Sequence, residues 1–260
     1  MKSPHQYKSL YGLIGYPLVH SFSRDFFNRK FEAEGIDAYY INFEIQDIGQ
    51  LMEVIARYPN LMGLNVTAPY KQAVIPWLDT LDDDATAVGA VNVIALHRDA
   101  ATGTLLSLSG HNTDVTGFGR TIPAILDAGH APSAMVLGTG GAALAVSAAF
   151  KRYGVAVQLV SRHKREHVLV YEEITRAMVA SCGIVVNATP LGKFPDMDQC
   201  PDFPYRLLTP QQLCYDLIYN PEHTRFLKLA ASRGASTKNG IEMLLLQAFD
   251  AYDIWTRNTP

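Results

Sequence analysis

Hydrophobic positions along this chain switch back and forth between short apolar runs and helical spacings. "YGLIGY" (Tyr11–Tyr16) is an apolar run of strand length. In "SRDFFNRKFEAEG" Phe27 and Phe31 stand four apart and the segment closes on Gly35, the pattern of a helix with a glycine cap. Ile41, Phe43 and Ile45 alternate, which predicts a strand. Ile48, Leu51, Met52 and Ile55 fall at i, i+3, i+4 and i+7, which predicts an amphipathic helix behind an Asp47 N-cap. "GLNVTAPYKQAVIPWLD" (Gly63–Asp79) predicts a buried strand that breaks at Pro69, with a helix after Lys71. "AVNVIAL" (Ala90–Leu96) and "LLSLS" flank the turn-rich "HRDAATGT", the pattern of a hairpin.

A second series begins after Asp114. Phe118, Ile122, Ile125 and Leu126 mark a helical stripe that Pro123 bends or resets. Strands are predicted at "AMVLG", "VAVQLVS", "GIVVNAT" and "LCYDLIY", with helix-length segments between them. Such alternation implies βαβ crossovers and a mainly parallel sheet. The expected architecture is therefore α/β, in two units joined near residue 114.

Composition narrows the partners. Of 260 residues, 48% are hydrophobic and 18% charged, a globular balance. The formal net charge of −3 leaves no basic field for nucleic acid or anionic lipid. "MKSPHQYKSL" lacks the apolar stretch of a signal peptide, and glycines, Thr139 and Ser147 interrupt the apolar region Ala134–Phe150, so no membrane span is expected. Three cysteines without CxxC spacing suggest reduced thiols, and the expected compartment is the cytoplasm.

The strand "AMVLG" runs directly into "GTGGAALAVSAAF", where Gly138, Gly140 and Ala143 satisfy G-x-G-x-x-[GA] between a strand and a helix. The first glycine permits the turn, the second lets backbone approach a pyrophosphate, and the alanine lets the helix pack closely. A dinucleotide fold that binds NAD places a carboxylate at the end of the next strand for the ribose 2′-OH. Here Ser161 and Arg162 stand there, followed by His163, Lys164 and Arg165, which suits a 2′-phosphate and hence NADP. His163 to His167 also matches H-x-x-E-H, but that zinc pattern needs a helix and these residues fall in a basic loop, so no metal is expected.

In the first half, polar residues gather at predicted strand ends: "HSFS", "NVT", Lys71, Asn92 and "HNTD". Open α/β sheets bind ligands at the carboxyl ends of their strands. Hydroxyls, amides, one ammonium and one carboxylate suit a small polyhydroxy acid.

Together these residues resemble the shikimate dehydrogenase family. "GYPLVHSFS", "LNVTAPYK", "GAVNVI", "HNTDVTGF", "GTGGAA", "NATPLG", "YDLIYNPEHTRFL" and "KNGIEMLLLQAF" occur in the family's order over nearly the whole chain. The resemblance implies an N-terminal α/β substrate-binding domain (1–113), a Rossmann-type NADP-binding domain (114–240), and a C-terminal helix (241–260) returning to the first. It implies NADPH-dependent reduction of 3-dehydroshikimate to shikimate by a monomer or homodimer.

Carried over by position, Ser21 and Ser23 would bind the substrate carboxylate, with Tyr219 nearby. Asn65, Thr67, Asn92 and Gln247 would bind hydroxyls and the ring, and Lys71 and Asp114 would be the catalytic pair. Gly138, Thr139, Gly140, Gly141, Ala142, Ala143, Ser161, Arg162, His163 and Lys164 would contact the cofactor. Asn187, Ala188 and Thr189 would lie beneath its nicotinamide half, and Leu217 and Gly240 would also contact the cofactor. Arg24, His111, Val115 and Lys193 depart from the family's usual residues, and the adenine-phosphate segment is Ser161-Arg162-His163 where the family often has Asn-Arg-Thr. Ketone reduction needs a proton donor at the forming alkoxide and a positive field. Lys71 suits either role, and Asp114 would orient its ammonium and favour the charged form. Quinate dehydrogenases that use NAD, and non-catalytic sensors on this fold, share these blocks and are the alternatives.

Overall fold

Strands buried on both faces read as near-continuous apolar runs, and both sheets of this protein are organised around such strands. The computed structural model describes residues 2–18 and 22–257, and the chain divides into Met1–Thr113 with Ala248–Pro260, and Asp114–Gln247. The first unit contains β1 (Ser9–Gly15), α1 (Phe22–Ala33), β2 (Ala38–Glu44), α2 (Leu51–Arg57), β3 (Leu61–Val66), α3 (Tyr70–Ala73), β4 (Thr80–Leu81), α4 (Asp83–Val88), β5 (Val93–Arg98) and β6 (Leu105–His111). Its sheet runs β2-β1-β3-β5-β6-β4. β1 pairs in parallel with β2 and β3, whereas β5 is antiparallel to both β3 and β6. The expected mainly parallel arrangement is present, with one exception at the predicted hairpin: β5 alone is reversed, which makes this first sheet mixed.

Leu10, Ile14, Leu64 and Val66 face α2 and α3, where Leu51, Ile55 and Tyr70 join them. Tyr11, Tyr40, Val93 and Ala95 face the other way, against Phe27 and Phe31 of α1 and Trp255 near the C-terminus. Trp255 is 1% exposed and donates its indole N–H to the Ile94 carbonyl at 3.0 Å. Truncating an aromatic side chain this deeply buried costs about 3–5 kcal/mol. The close approach requires Gly63: a Cβ there would stand 2.2 Å from the indole.

Several local expectations shift. Asp47 caps a single 3-10 turn (Ile48–Gln50), and α2 begins only at Leu51. Met52 is 40% exposed, so the buried stripe narrows to Leu51 and Ile55. Lys71 lies inside the one-turn α3 instead of ahead of a helix.

The second unit contains most of α5 (Thr113–Gly119), then α6 (Ile122–Asp127), β7 (Ser133–Leu137), α7 (Gly141–Arg152), β8 (Ala156–Ser161), β9 (Val168–Val170), α8 (Arg176–Ser181), β10 (Ile184–Asn187), β11 (Leu213–Asp216), α9 (Arg225–Ala231) and β12 (Ser236–Lys238). Pro123 lies in the first turn of α6, so it restarts the helix where the sequence predicted a bend or reset. The strands, all parallel, run β9-β8-β7-β10-β11-β12 across the sheet. That is the 3-2-1-4-5-6 order of the dinucleotide-binding fold, with the switch point between β7 and β10. α10 (Ile241–Arg257) begins in this unit, and its residues from Ala248 onward count with the first. Among the described residues no helix is long and apolar enough to cross a membrane.

Candidate functional site

One reversed strand explains how Asn92 reaches the functional edge of the first sheet. β1, β3 and β6 end at that edge, and β5, being antiparallel, begins there. Asn65 pairs with Val93 and Val93 with His111, which sets Asn65, Asn92 and the Asn112–Thr113 segment side by side. Asn92 receives the Val66 N–H on its carbonyl at 2.8 Å and gives its own N–H to the His111 carbonyl at 3.0 Å.

The two asparagines are almost fully buried, at 6% and 3% exposure, so their amides need partners. Asn92 Oδ1 accepts from the Thr113 N–H at 2.8 Å, and Nδ2 donates to Thr113 Oγ1 at 3.0 Å. Asn65 Oδ1 accepts from the Tyr40 hydroxyl at 2.7 Å, and its Nδ2 reaches the Asn92 carbonyl at 3.4 Å. Ser23, in the first turn of α1, hydrogen-bonds the same tyrosine hydroxyl. Burial pushes the Tyr40 phenol well above its usual range, which keeps it a neutral donor. Ser21 lies outside the described residues.

Thr67 and Lys71 follow Asn65 in one tight segment. The Thr67 carbonyl accepts from the Tyr70 N–H at 2.9 Å, opening α3, and the Lys71 carbonyl accepts from the Val91 N–H at 2.7 Å. The Tyr70 hydroxyl anchors this turn on the Ile45 carbonyl at 2.7 Å. Asp114 stands in the first turn of α5 and, like Gln247 and Tyr219, belongs to the second unit. Gln247 faces α5 where Gly117 lets the helices approach. Lys71 and Asp114 thus come from different units.

His111, a departure from the family's usual residue, has a structural answer. Its Nδ1 lies 3.1 Å from Asp82 Oδ2, and its Nε2 lies 2.9 Å from Ser109 Oγ. These distances follow the Ser-His-Asp order of a hydrolase, but His97 Nε2 takes the other side of the Ser109 hydroxyl at 2.8 Å. Ser109 is only 9% exposed, so its oxygen is held between two imidazoles inside the sheet.

In the second unit the glycine loop follows β7. Gly138 takes φ 119°, a backbone region costly for any residue with a side chain. Around Gly140 the space a side chain would occupy is open, and α7 then starts at Gly141 with Ala143 fully buried beneath it. The first-turn N–H groups of Gly141, Ala142 and Ala143 have no partner four residues back within the helix, so they form a donor set for an anion. Thr139 lies in the loop between Gly138 and Gly140.

At the neighbouring end of β8, Ser161 Oγ accepts from the His163 N–H at 3.3 Å, and Arg162, His163 and Lys164 are exposed. Lys164 is already engaged: its ammonium meets both carboxylate oxygens of Glu173, at 2.5 and 2.6 Å. Glu173 carries no signal in the sequence, since it stands nine positions on from Lys164, beyond a three-residue strand. Residues 163–167 form an exposed loop and not the helix that the zinc pattern needs.

At the end of β10, Asn187 Oδ1 accepts from the N–H and the hydroxyl of Thr189 at 3.0 and 2.7 Å. Ala188 donates its N–H to the Leu137 carbonyl, and Leu217 to that of Asn187. Gly240 packs on the Leu217 backbone and donates to the Ile218 carbonyl at 3.1 Å. Asp216 underlies this edge. It is fully buried and accepts from Asn187 Nδ2 (3.0 Å), the Ile218 N–H (3.0 Å) and the Thr224 hydroxyl (2.6 Å). Burial raises its carboxyl from 3.8 to about 6 in spite of these three donors.

Comparison with known proteins agrees with this geometry. Residues 13–94 match the family model described as the shikimate dehydrogenase substrate binding domain. A shikimate dehydrogenase (NADP(+)) of Desulforamulus reducens is 37% identical over 94% of this chain and 89% of its own. The crystal structure of shikimate 5-dehydrogenase from Thermus thermophilus in complex with NADP(H) and shikimate gives a TM-score of 0.78 at 29% identity, covering 96% of this chain and 94% of that one. A quinate dehydrogenase of Corynebacterium glutamicum in complex with NAD gives 0.81 at 32% identity, covering 96% and 94%.

The Asp216 carboxyl yields a pH test. Its folded value lies above its unfolded one, so the native state holds this proton more tightly. Its contribution to stability is therefore fully present below about 3.8 and is lost as pH rises through about 6. Denaturant unfolding of the wild type and Asp216→Asn across this window should show the wild type losing roughly 3 kcal/mol relative to the variant, at ~1.4 kcal/mol per pH unit. A pH-independent gap, or a wild type that gains with pH, would contradict this.

Proposed function

The chain belongs to the shikimate dehydrogenase family, and from that premise we propose how its two sheet edges divide the reaction. The activity is the reversible, NADP-dependent reduction of 3-dehydroshikimate to shikimate on the route to chorismate and the aromatic amino acids. The first edge takes the substrate. Ser21 and Ser23 hold its carboxylate, with Tyr219 near it, and Asn65, Thr67, Asn92 and Gln247 take the ring hydroxyls. The observation that carries this reading is the segment Asn65-Val66-Thr67 leading directly into Lys71, with Asn65 and Asn92 already fixed by buried hydrogen bonds.

NADPH, when bound, supplies the hydride. Lys71 stabilises the charge that develops on the ketone oxygen and donates toward it, and Asp114 orients the ammonium. The residues of the second edge fit the dinucleotide. The N-terminus of α7 receives the pyrophosphate, and Arg162 pairs with the adenosine 2′-phosphate. Ser161 and His163 line the same end, with Lys164 beside them, and Asn187, Ala188, Thr189, Leu217 and Gly240 support the nicotinamide half. The quinate dehydrogenase in complex with NAD shares this fold as fully as the shikimate enzyme does, so architecture does not separate the two chemistries. The residue that bears on the choice is at the end of β8, where Ser161 stands in the position of the carboxylate that would accept a free 2′-OH.

Three variants test this reading. Lys71→Ala should fold normally by circular dichroism yet lose about 10²–10⁴-fold in kcat; a folded variant within tenfold of wild type would remove Lys71 from catalysis. Arg162→Ala should raise the KM for NADP roughly 10- to 150-fold and change NAD kinetics far less, whereas Glu173→Gln, by releasing Lys164, should lower the KM for NADP about two- to fivefold at low salt. Equal losses for both cofactors in the arginine variant would contradict the phosphate assignment. A glutamine variant with unchanged NADP kinetics would leave Lys164 outside the clamp.

A further inference from the structure

The side chains assigned to the substrate carboxylate and to a ring hydroxyl meet on one residue that the assignment does not include. Tyr40 is fully buried in β2, and its hydroxyl donates to Asn65 Oδ1 at 2.7 Å while Ser23 hydrogen-bonds the same oxygen. The rest of the residue is held at three further points. Asn28 of α1 takes the Tyr40 N–H at 2.8 Å and gives its amide to the Tyr40 carbonyl at 2.9 Å. Phe27 stacks on the ring with centroids 5.0 Å apart and an interplanar angle of 15°. The hydroxyl therefore has one place to be.

We propose that Tyr40 is a positioning residue for the substrate, resting on the assignment of Ser23 and Asn65 made above. An Asn amide in a buried strand end has two near-isosteric orientations; an acceptor on one side, here the Asn92 carbonyl, and a donor on the other together select between them. The Tyr40 hydroxyl is that donor: it holds Oδ1 inward, so Nδ2 has one N–H for the Asn92 carbonyl and keeps a second for a ligand oxygen. Ser23 acts differently. With Tyr40 donating to Asn65, Ser23 must be the donor in the Ser23–Tyr40 bond, so its proton rests on Tyr40 until a carboxylate arrives. The serine then turns its O–H to the carboxylate, and Tyr40 keeps its bond to Asn65. Substrate binding thus exchanges one hydrogen bond for a stronger, charge-assisted one without leaving a buried group unpartnered.

Tyr40→Phe deletes this hydroxyl alone. The variant should raise the KM for shikimate roughly 5- to 50-fold, change kcat less than KM, and leave the KM for NADP within twofold. A role confined to packing would lower the melting temperature and leave the KM for shikimate in place. Ser23→Ala, measured alongside, separates the two levels: if it too leaves shikimate kinetics unchanged, the substrate assignment itself is wrong. If it raises the KM while folded Tyr40→Phe stays within twofold of wild type, this proposal alone is overturned. A second readout needs no deletion. 3-Fluorotyrosine placed at position 40 should shift its ¹⁹F resonance on saturation with shikimate, as Ser23 leaves the hydroxyl, and not on addition of NADP⁺. An unmoved resonance at saturating shikimate overturns the proposal even if Tyr40→Phe does not fold.

Discussion

A buried amide has to be answered from inside the protein, and the first sheet edge is built around that requirement. Asn65 and Asn92 point polar groups into a region with almost no water, where an unmade hydrogen bond costs about 1–3 kcal/mol. Tyr40 answers one and Thr113 the other, and the Asn65 amide links the two by reaching the Asn92 carbonyl. The side chains that would meet a polyhydroxy acid are therefore fixed before it arrives, which is how a site avoids ordering itself at the expense of binding. The arrangement depends in turn on the reversal of β5. Were that strand parallel, Asn92 would sit at the opposite edge.

On the proposed reading, the second sheet meets its ligand by other means. At the glycine loop the donors are backbone N–H groups, which recognise a pyrophosphate whatever else the dinucleotide carries. Discrimination falls to side chains at the end of β8, and these are exposed. Arg162 offers a fixed fork, whereas Lys164 is held in an ion pair with Glu173, so its charge reaches a phosphate only in competition with that carboxylate. On that reading, a rigid common element and a solvent-exposed specific one would let a single fold serve either dinucleotide.

Much of this was legible in the sequence, because the features to which chemistry is assigned are local. The strand-glycine-helix signal at Gly138–Ala143, the arginine after β8, and the Asn-Thr-Lys spacing from the end of β3 onward each sit within a few residues. What escaped was set by partners distant in the chain. The alternation in β2 marks the face of Ile41 and Phe43 and passes over Tyr40 on the other face, whose value depends on Asn65, 25 residues later. Glu173 escaped because a loop and β9 intervene before it folds back on Lys164. β4, β9 and β12 have two or three residues each, too few for a period to declare itself. Met52 satisfied the helical spacing but faces solvent, since the first turn of the predicted helix is 3-10 and rotates the stripe.

The proposed division of labour gives shikimate to one edge of this protein and NADP to the other. It is tested most directly by initial rates of dinucleotide reduction with purified wild-type enzyme, pairing shikimate or quinate with NADP⁺ or NAD⁺. The kcat/KM for shikimate with NADP⁺ should exceed that of each of the other three pairings by about tenfold or more, a difference of ~1.4 kcal/mol. Quinate with NAD⁺ as the preferred pair, or no turnover with any pair, would contradict it.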